Sequence, residues 1–136
     1  MRLQSTMIIA SALAVGSVAF AGEKAAEDAN KYEIGAVGEP KSCINRSRIR
    51  STDVVDDQTI DFKMTNGDIY RNNLPNKCSG LAFEEAFSYK TSSSQLCSVD
   101  IIHILSQTGG QLDSRGACGL GQFQKIEKIP LPRHLD

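Results

Sequence analysis

TIDFKMTNGDIYRNNL, residues 59–74, is the stretch whose reading decides the fold. Asn66-Gly67 lies between alternating apolar residues, the strongest short-range hairpin signal, because both residues tolerate positive φ. Ile60, Phe62 and Met64 alternate with Asp61 and Lys63, so the first strand has one apolar and one wet face. Two registers are open. A two-residue loop pairs Met64 with Ile69 and Lys63 with Tyr70. A three-residue loop with a bulged glycine pairs Phe62 with Tyr70 and Asp61 with Arg71. We favour the second, which sets an aromatic pair on one face and a charge pair on the other, each contributing roughly 0.2–1 kcal/mol. A slip of one residue would turn Tyr70 and Leu74 to the opposite face.

Upstream, residues 1–21 read as a signal peptide. Arg2 gives a thin positive start, a short apolar run follows, and Ala19-Phe20-Ala21 is an A-x-A cleavage signal, with cleavage after Ala21. The run is too short and too broken by Ser11, Gly16 and Ser17 to span a membrane, which takes about 20 apolar residues. Cleavage leaves 115 of the 136 residues, with 14 basic and 16 acidic side chains and a formal charge of −2. That balance argues against nucleic acid as a partner and against a polybasic membrane patch. Residues 22–41 read as a disordered leader, because Tyr32, Ile34 and Val37 offer too little burial to offset ordering entropy.

The folded unit is then a single small β domain, residues 42–129, followed by a flexible tail, residues 130–136. At that size a hydrophobic core alone is barely sufficient, and staples are expected. Four cysteines, Cys43, Cys78, Cys97 and Cys118, all lie in the exported part. An even count in a small secreted chain implies disulfides. A zinc site has no support, since no C-x-x-C pair occurs and His103 and His134 lie far apart.

Along this unit, Arg46, Arg48 and Arg50 would share one face of a strand as a small basic stripe. The plainer reading is a solvated face balanced by Asp53, Asp56, Asp57 and Asp61; the rival is an anion or nucleic-acid contact. Residues 81–89 alternate with one fault at Glu85 and read as a strand, with a short helix over 81–87 as competitor. Residues 96–105 read as one central strand covered on both faces. Residues 107–116 read as a loop. Residues 118–123 read as a last strand in which Gly119 or Gly121 marks a bulge or a close backbone approach, extended through Ile126 and Ile129 and stopped by Pro130.

Suppose these strands form an antiparallel meander. Cys43 and Cys97 then lie at the end that carries the Asn66-Gly67 turn, and Cys78 and Cys118 at the other. Bridged Cα atoms must lie within about 7 Å, so the pairing is Cys43–Cys97 and Cys78–Cys118. Each bond contributes roughly 3–4.5 kcal/mol through loop closure. Both links require the sheet to roll up. The expected class is therefore mainly β: a small antiparallel meander rolled into a barrel-like sheet, stapled by two disulfides, with little helix.

The runs Cys43-Ile44, Ile49-Arg50-Ser51, residues 54–60, residues 70–74, Cys78-Ser79-Gly80-Leu81, residues 96–100 and Cys118-Gly119-Leu120-Gly121 together resemble a family of small exported Gram-negative bacterial proteins known only as a domain of unknown function. The resemblance covers residues 42–123. It implies export and a compact domain, and brings no activity or catalytic residue.

Two function classes follow. The first is a periplasmic or secreted, non-enzymatic binding module of the cell envelope, whose partner is an envelope protein, a glycan or a small ligand. The second is a small periplasmic hydrolase with a site near Asp100 and His103. Against an enzyme stand the lack of a nucleophile elbow, of H-E-x-x-H and of a usable Cys–His dyad once the cysteines are oxidised. The adjacent pairs Asp56/Asp57 and Glu84/Glu85 would point to opposite strand faces. No catalytic residue, metal ligand or cofactor is assigned.

Overall fold

The structure, a computed structural model, describes residues 32–131. The signal segment, most of the leader and the end of the tail lie outside the described residues.

Phe62 sits at the centre of the core and is fully buried. It meets Phe123 and Phe87 edge-on, with ring centroids 5.5 and 6.3 Å away, the arrangement that aromatic quadrupoles favour. Ile60, Leu74, Leu81, Leu96 and Ile102 complete the dry centre. Three antiparallel sheets contribute to it.

The largest sheet has five strands: β1 (Tyr32–Ala36), β3 (Ile49–Asp56), β4 (Thr59–Met64), β5 (Ile69–Asn73) and β10 (Phe123–Pro130), in the order β1-β10-β5-β4-β3. β2 (Cys43–Asn45) pairs with β7 (Gln95–Cys97), and β6 (Phe87–Tyr89), β8 (Ile101–Thr108) and β9 (Gln111–Gly119) form the third sheet, in the order β6-β8-β9.

The hairpin takes the favoured register, with Phe62 opposite Tyr70 and Asp61 opposite Arg71. Gly67 carries the positive φ of its loop, +92°. Asp61 and Arg71 form a two-pronged ion pair, both contacts 2.8 Å, and Asp61 is buried. Burial raises the desolvation cost of each charge, and the bidentate geometry offsets it. Hydrogen bonding to Asp61 holds the Arg71 pKa above its ordinary value.

Both disulfides form as expected, Cys43–Cys97 and Cys78–Cys118, with Cα separations of 4.0 and 5.9 Å. The first joins residues directly opposite in the β2–β7 ladder. The barrel, however, does not form, because no sheet closes on itself. The expected strand over 96–105 breaks at residues 98–100, where the Asp100 carboxylate accepts a hydrogen bond from the Cys97 N–H at 2.7 Å. The Asp100 N–H in turn donates to the Cys97 carbonyl. These backbone groups are satisfied locally, so the ladder stops there.

Other expectations are corrected in the same way. Within the leader, Tyr32–Ala36 is a strand, paired with β10 from Tyr32 opposite Pro130 to Ala36 opposite Ile126. A free edge on β10 supplies the ordering contacts that composition alone does not reveal. Residues 81–89 divide into a one-turn helix, α1 (Leu81–Glu84), and β6. A carboxylate oxygen of Asp57 accepts from the Ala82 N–H at 2.9 Å, satisfying a helix-terminal donor from 25 residues upstream. Residues 107–116 are no loop but the outer half of the β8–β9 hairpin, turned at Gly109-Gly110 with φ of +62° and +83°. Two consecutive positive-φ residues demand such a dipeptide.

Gly121 makes the close approach read from the sequence. Its N–H donates to the Asn72 Oδ1 at 2.8 Å, and its carbonyl accepts from the Asn72 Nδ2 at 2.7 Å. A Cβ at this position would fall 2.1 Å from the Asn73 carbonyl oxygen. Gly121→Ala is therefore expected to lower stability by about 3 kcal/mol, read as a reduced urea midpoint, whereas Gly119→Ala, with open space around it, shifts it far less.

Candidate functional site

Asp100 and His103, singled out as a possible catalytic pair, occupy different settings. Asp100 is engaged in the turn at residues 98–100. His103 lies on the outer face of β8 between Ser88 and Ala117, exposed to solvent. Among the described residues no group of three His, Cys, Asp or Glu side chains is placed to hold a metal ion.

The aspartates expected to balance the arginine stripe are committed elsewhere. Asp53 pairs with Lys63 and Asp61 with Arg71. Asp56 accepts from the Gln58 N–H at 2.7 Å, and Asp57 caps α1 and lies 3.8 Å from Lys77. Arg46, Arg48 and Arg50 make no ion pair among the described residues. They do not lie on one strand either. Arg46–Arg48 is a single 3-10 turn in which the Ser47 N–H and hydroxyl donate to the Asn45 Oδ1, and Arg50 follows in β3. The turn is fixed at both ends by backbone bonds, from the Arg46 N–H to the Ser94 carbonyl and from the Thr65 N–H to the Arg48 carbonyl. That second bond sets the arginines beside the hairpin tip.

A recess of about 580 Å3 is lined by Asp56, Asp57, Gln58, Thr59, Asn73, Lys77 and Ala82. Its carboxylates already serve a turn and a helix cap. A smaller recess of about 310 Å3 is lined by Lys41, Arg48, Asn66, Asp68 and Tyr70 over a floor that includes Ile44 and Met64. Here the Lys41 ammonium donates to the Tyr70 hydroxyl at 3.4 Å and lies 5.6 Å from the centre of that ring. Lys41 forms no ion pair among the described residues, although the Asp68 carboxylate lines the same recess and feels its charge. A third recess beside the same tip, about 370 Å3, is lined by Arg50, Ser51, Lys63 and Gly67.

The sequence explains the charge. Residues 41–52 hold Lys41, Arg46, Arg48 and Arg50 and no carboxylate, in a chain whose overall charge is negative. The arginines were visible as a stripe. Lys41 was missed because it fell in the supposed leader; it is tied to Phe123 by reciprocal backbone hydrogen bonds of 2.9 and 2.8 Å.

Asp68, at the rim, accepts from Lys125 at 2.9 Å and from Asn66 at 3.0 Å. The Lys125 bond, with that of Asn66, holds its pKa below the ordinary 3.8. A depressed carboxyl stabilises the fold above that ordinary value and loses its contribution as pH falls through the folded-state pKa. The Asp68 carboxyl carbon is expected to titrate by NMR with a midpoint below 3.8 and to move back toward it in Lys125→Met.

No family model, no curated protein and no solved structure matches the chain.

Proposed function

We propose that this chain is an exported, non-enzymatic binding module of the cell envelope that engages its partner at the end carrying the hairpin tip. The carrying observation is the set of four cations on residues 41–52, none in an ion pair among the described residues, of which Lys41, Arg48 and Arg50 line two recesses beside the tip. Arginines so placed form no ion pair among the described residues, and charges not engaged in such pairs are available to a ligand. Two disulfides fit an oxidising compartment. No helix among the described residues is long and apolar enough to cross a membrane. The resemblance to small exported bacterial proteins points the same way. The hydrolase alternative gains no support from Asp100, whose carboxylate holds backbone.

The test compares capture from envelope extract by the mature, oxidised protein with capture by a variant in which Arg46, Arg48 and Arg50 are all replaced by Gln. The wild type is expected to retain a partner that salt releases and that the variant fails to retain. Equal capture by both proteins, or turnover in a hydrolase substrate screen, would overturn the reading.

A further inference from the structure

We propose that the recess walled by Lys41, Arg48 and Tyr70 binds a phosphate monoester carried on a hydroxyl-bearing small molecule, a sugar phosphate in chemical class. This rests on the binding-module reading and names its ligand.

The charges argue for a dianion. Arg48 is exposed and has no ion-pair partner, and Lys41 touches only a phenol and its ring. A carboxylate ligand would neutralise one of these cations; a phosphate monoester near neutral pH carries nearly two charges and answers both. The planar fork of an arginine matches two phosphate oxygens, and a lysine supplies a mobile point charge beside it.

The rest of the recess argues for hydroxyls on the carrier. Asp68 is kept ionised by Lys125 and Asn66, and its carboxylate retains acceptor capacity beyond those two bonds. It would repel a second anionic group and accept from a hydroxyl. The Tyr70 oxygen accepts from Lys41 and keeps its own proton to donate. The floor of Ile44 and Met64, 4% and 7% exposed, suits the carbon face of a sugar ring. A volume of about 310 Å3 lies at the lower end for small-molecule sites. A nucleic-acid backbone would need a longer cationic track on a chain that is acidic as a whole.

The experiment is calorimetric titration of the mature, disulfide-intact protein with a hexose monophosphate, the parent hexose, inorganic phosphate, and vesicles with and without phosphatidic acid. Saturable binding of the hexose monophosphate is expected, with none of the parent hexose. Arg48→Gln and Lys41→Gln should each weaken it about tenfold or more, the loss of one charge-assisted contact. Asp68→Asn should weaken the hexose monophosphate but not inorganic phosphate, a split that a merely structural role would not produce. Vesicle binding that needs phosphatidic acid and is lost in Arg48→Gln would support the same chemistry presented from a membrane. Equal affinity for the parent hexose, or full affinity in Arg48→Gln, would overturn the phosphate assignment. Absence of any phosphate binding while capture of an envelope partner persists would overturn it too and leave the binding-module reading standing. Release of inorganic phosphate from the hexose monophosphate would overturn both.

Discussion

The bond between Cys78 and Cys118 holds the two larger sheets against one core. Cys78 follows β5 and is almost wholly buried, with its N–H donating to the Asp57 carbonyl at the β3–β4 turn. Cys118 lies on β9, in the sheet that packs from the other side. Neither sheet is closed, so no continuous ladder of backbone hydrogen bonds joins them. Burial of residues such as Phe62, Ile102 and Leu81 supplies the attraction, and the disulfide cuts the freedom of the unfolded chain. Closing a segment of 40 residues contributes about 4 kcal/mol on the chain-entropy view, a large share of what a domain this small commands.

Buried polar groups do complementary work in fixing one register. Asp61 has its charge answered by Arg71, and the buried Asn72 side chain both donates to and accepts from the backbone of Gly121. A slip of β4 against β5 would leave Asp61 unpaired on a covered face, at a cost well beyond that of a surface mismatch. These contacts also position the end proposed to bind a partner. The register sets the hairpin tip, and the tip holds the Arg46–Arg48 turn through the Thr65–Arg48 backbone bond.

What could be read from the sequence was what local pattern controls. The hairpin and its register followed from alternation and from the Asp61/Arg71 and Phe62/Tyr70 pairs. The disulfide pairing followed from asking which cysteines share an end of the fold, although the single meander assumed for that purpose does not exist. The misreadings share a cause, which is that distant groups decided the outcome. Asp57 caps a helix at Ala82, a free edge of β10 orders Tyr32–Ala36, and Asp100 cuts a strand that apolar periodicity would have run through. The β8–β9 arm was missed because its residues 107–115 are exposed on both faces and, apart from Leu112, carry no large apolar side chain, leaving only the Gly109-Gly110 dipeptide as signal. At the site, the arginines could be seen but not their isolation. Sequence proximity paired them with aspartates that the fold gives to Lys63, Arg71, Lys77 and backbone donors.

A small core closed by two covalent bonds is the frame on which the proposed binding reading rests. The direct test of that frame is disulfide mapping of the purified, non-reduced mature chain by mass spectrometry, with a thiol count. Peptides linked as Cys43–Cys97 and Cys78–Cys118 with no free thiol are expected. Free thiols at all four positions, or any exchanged linkage, would contradict it.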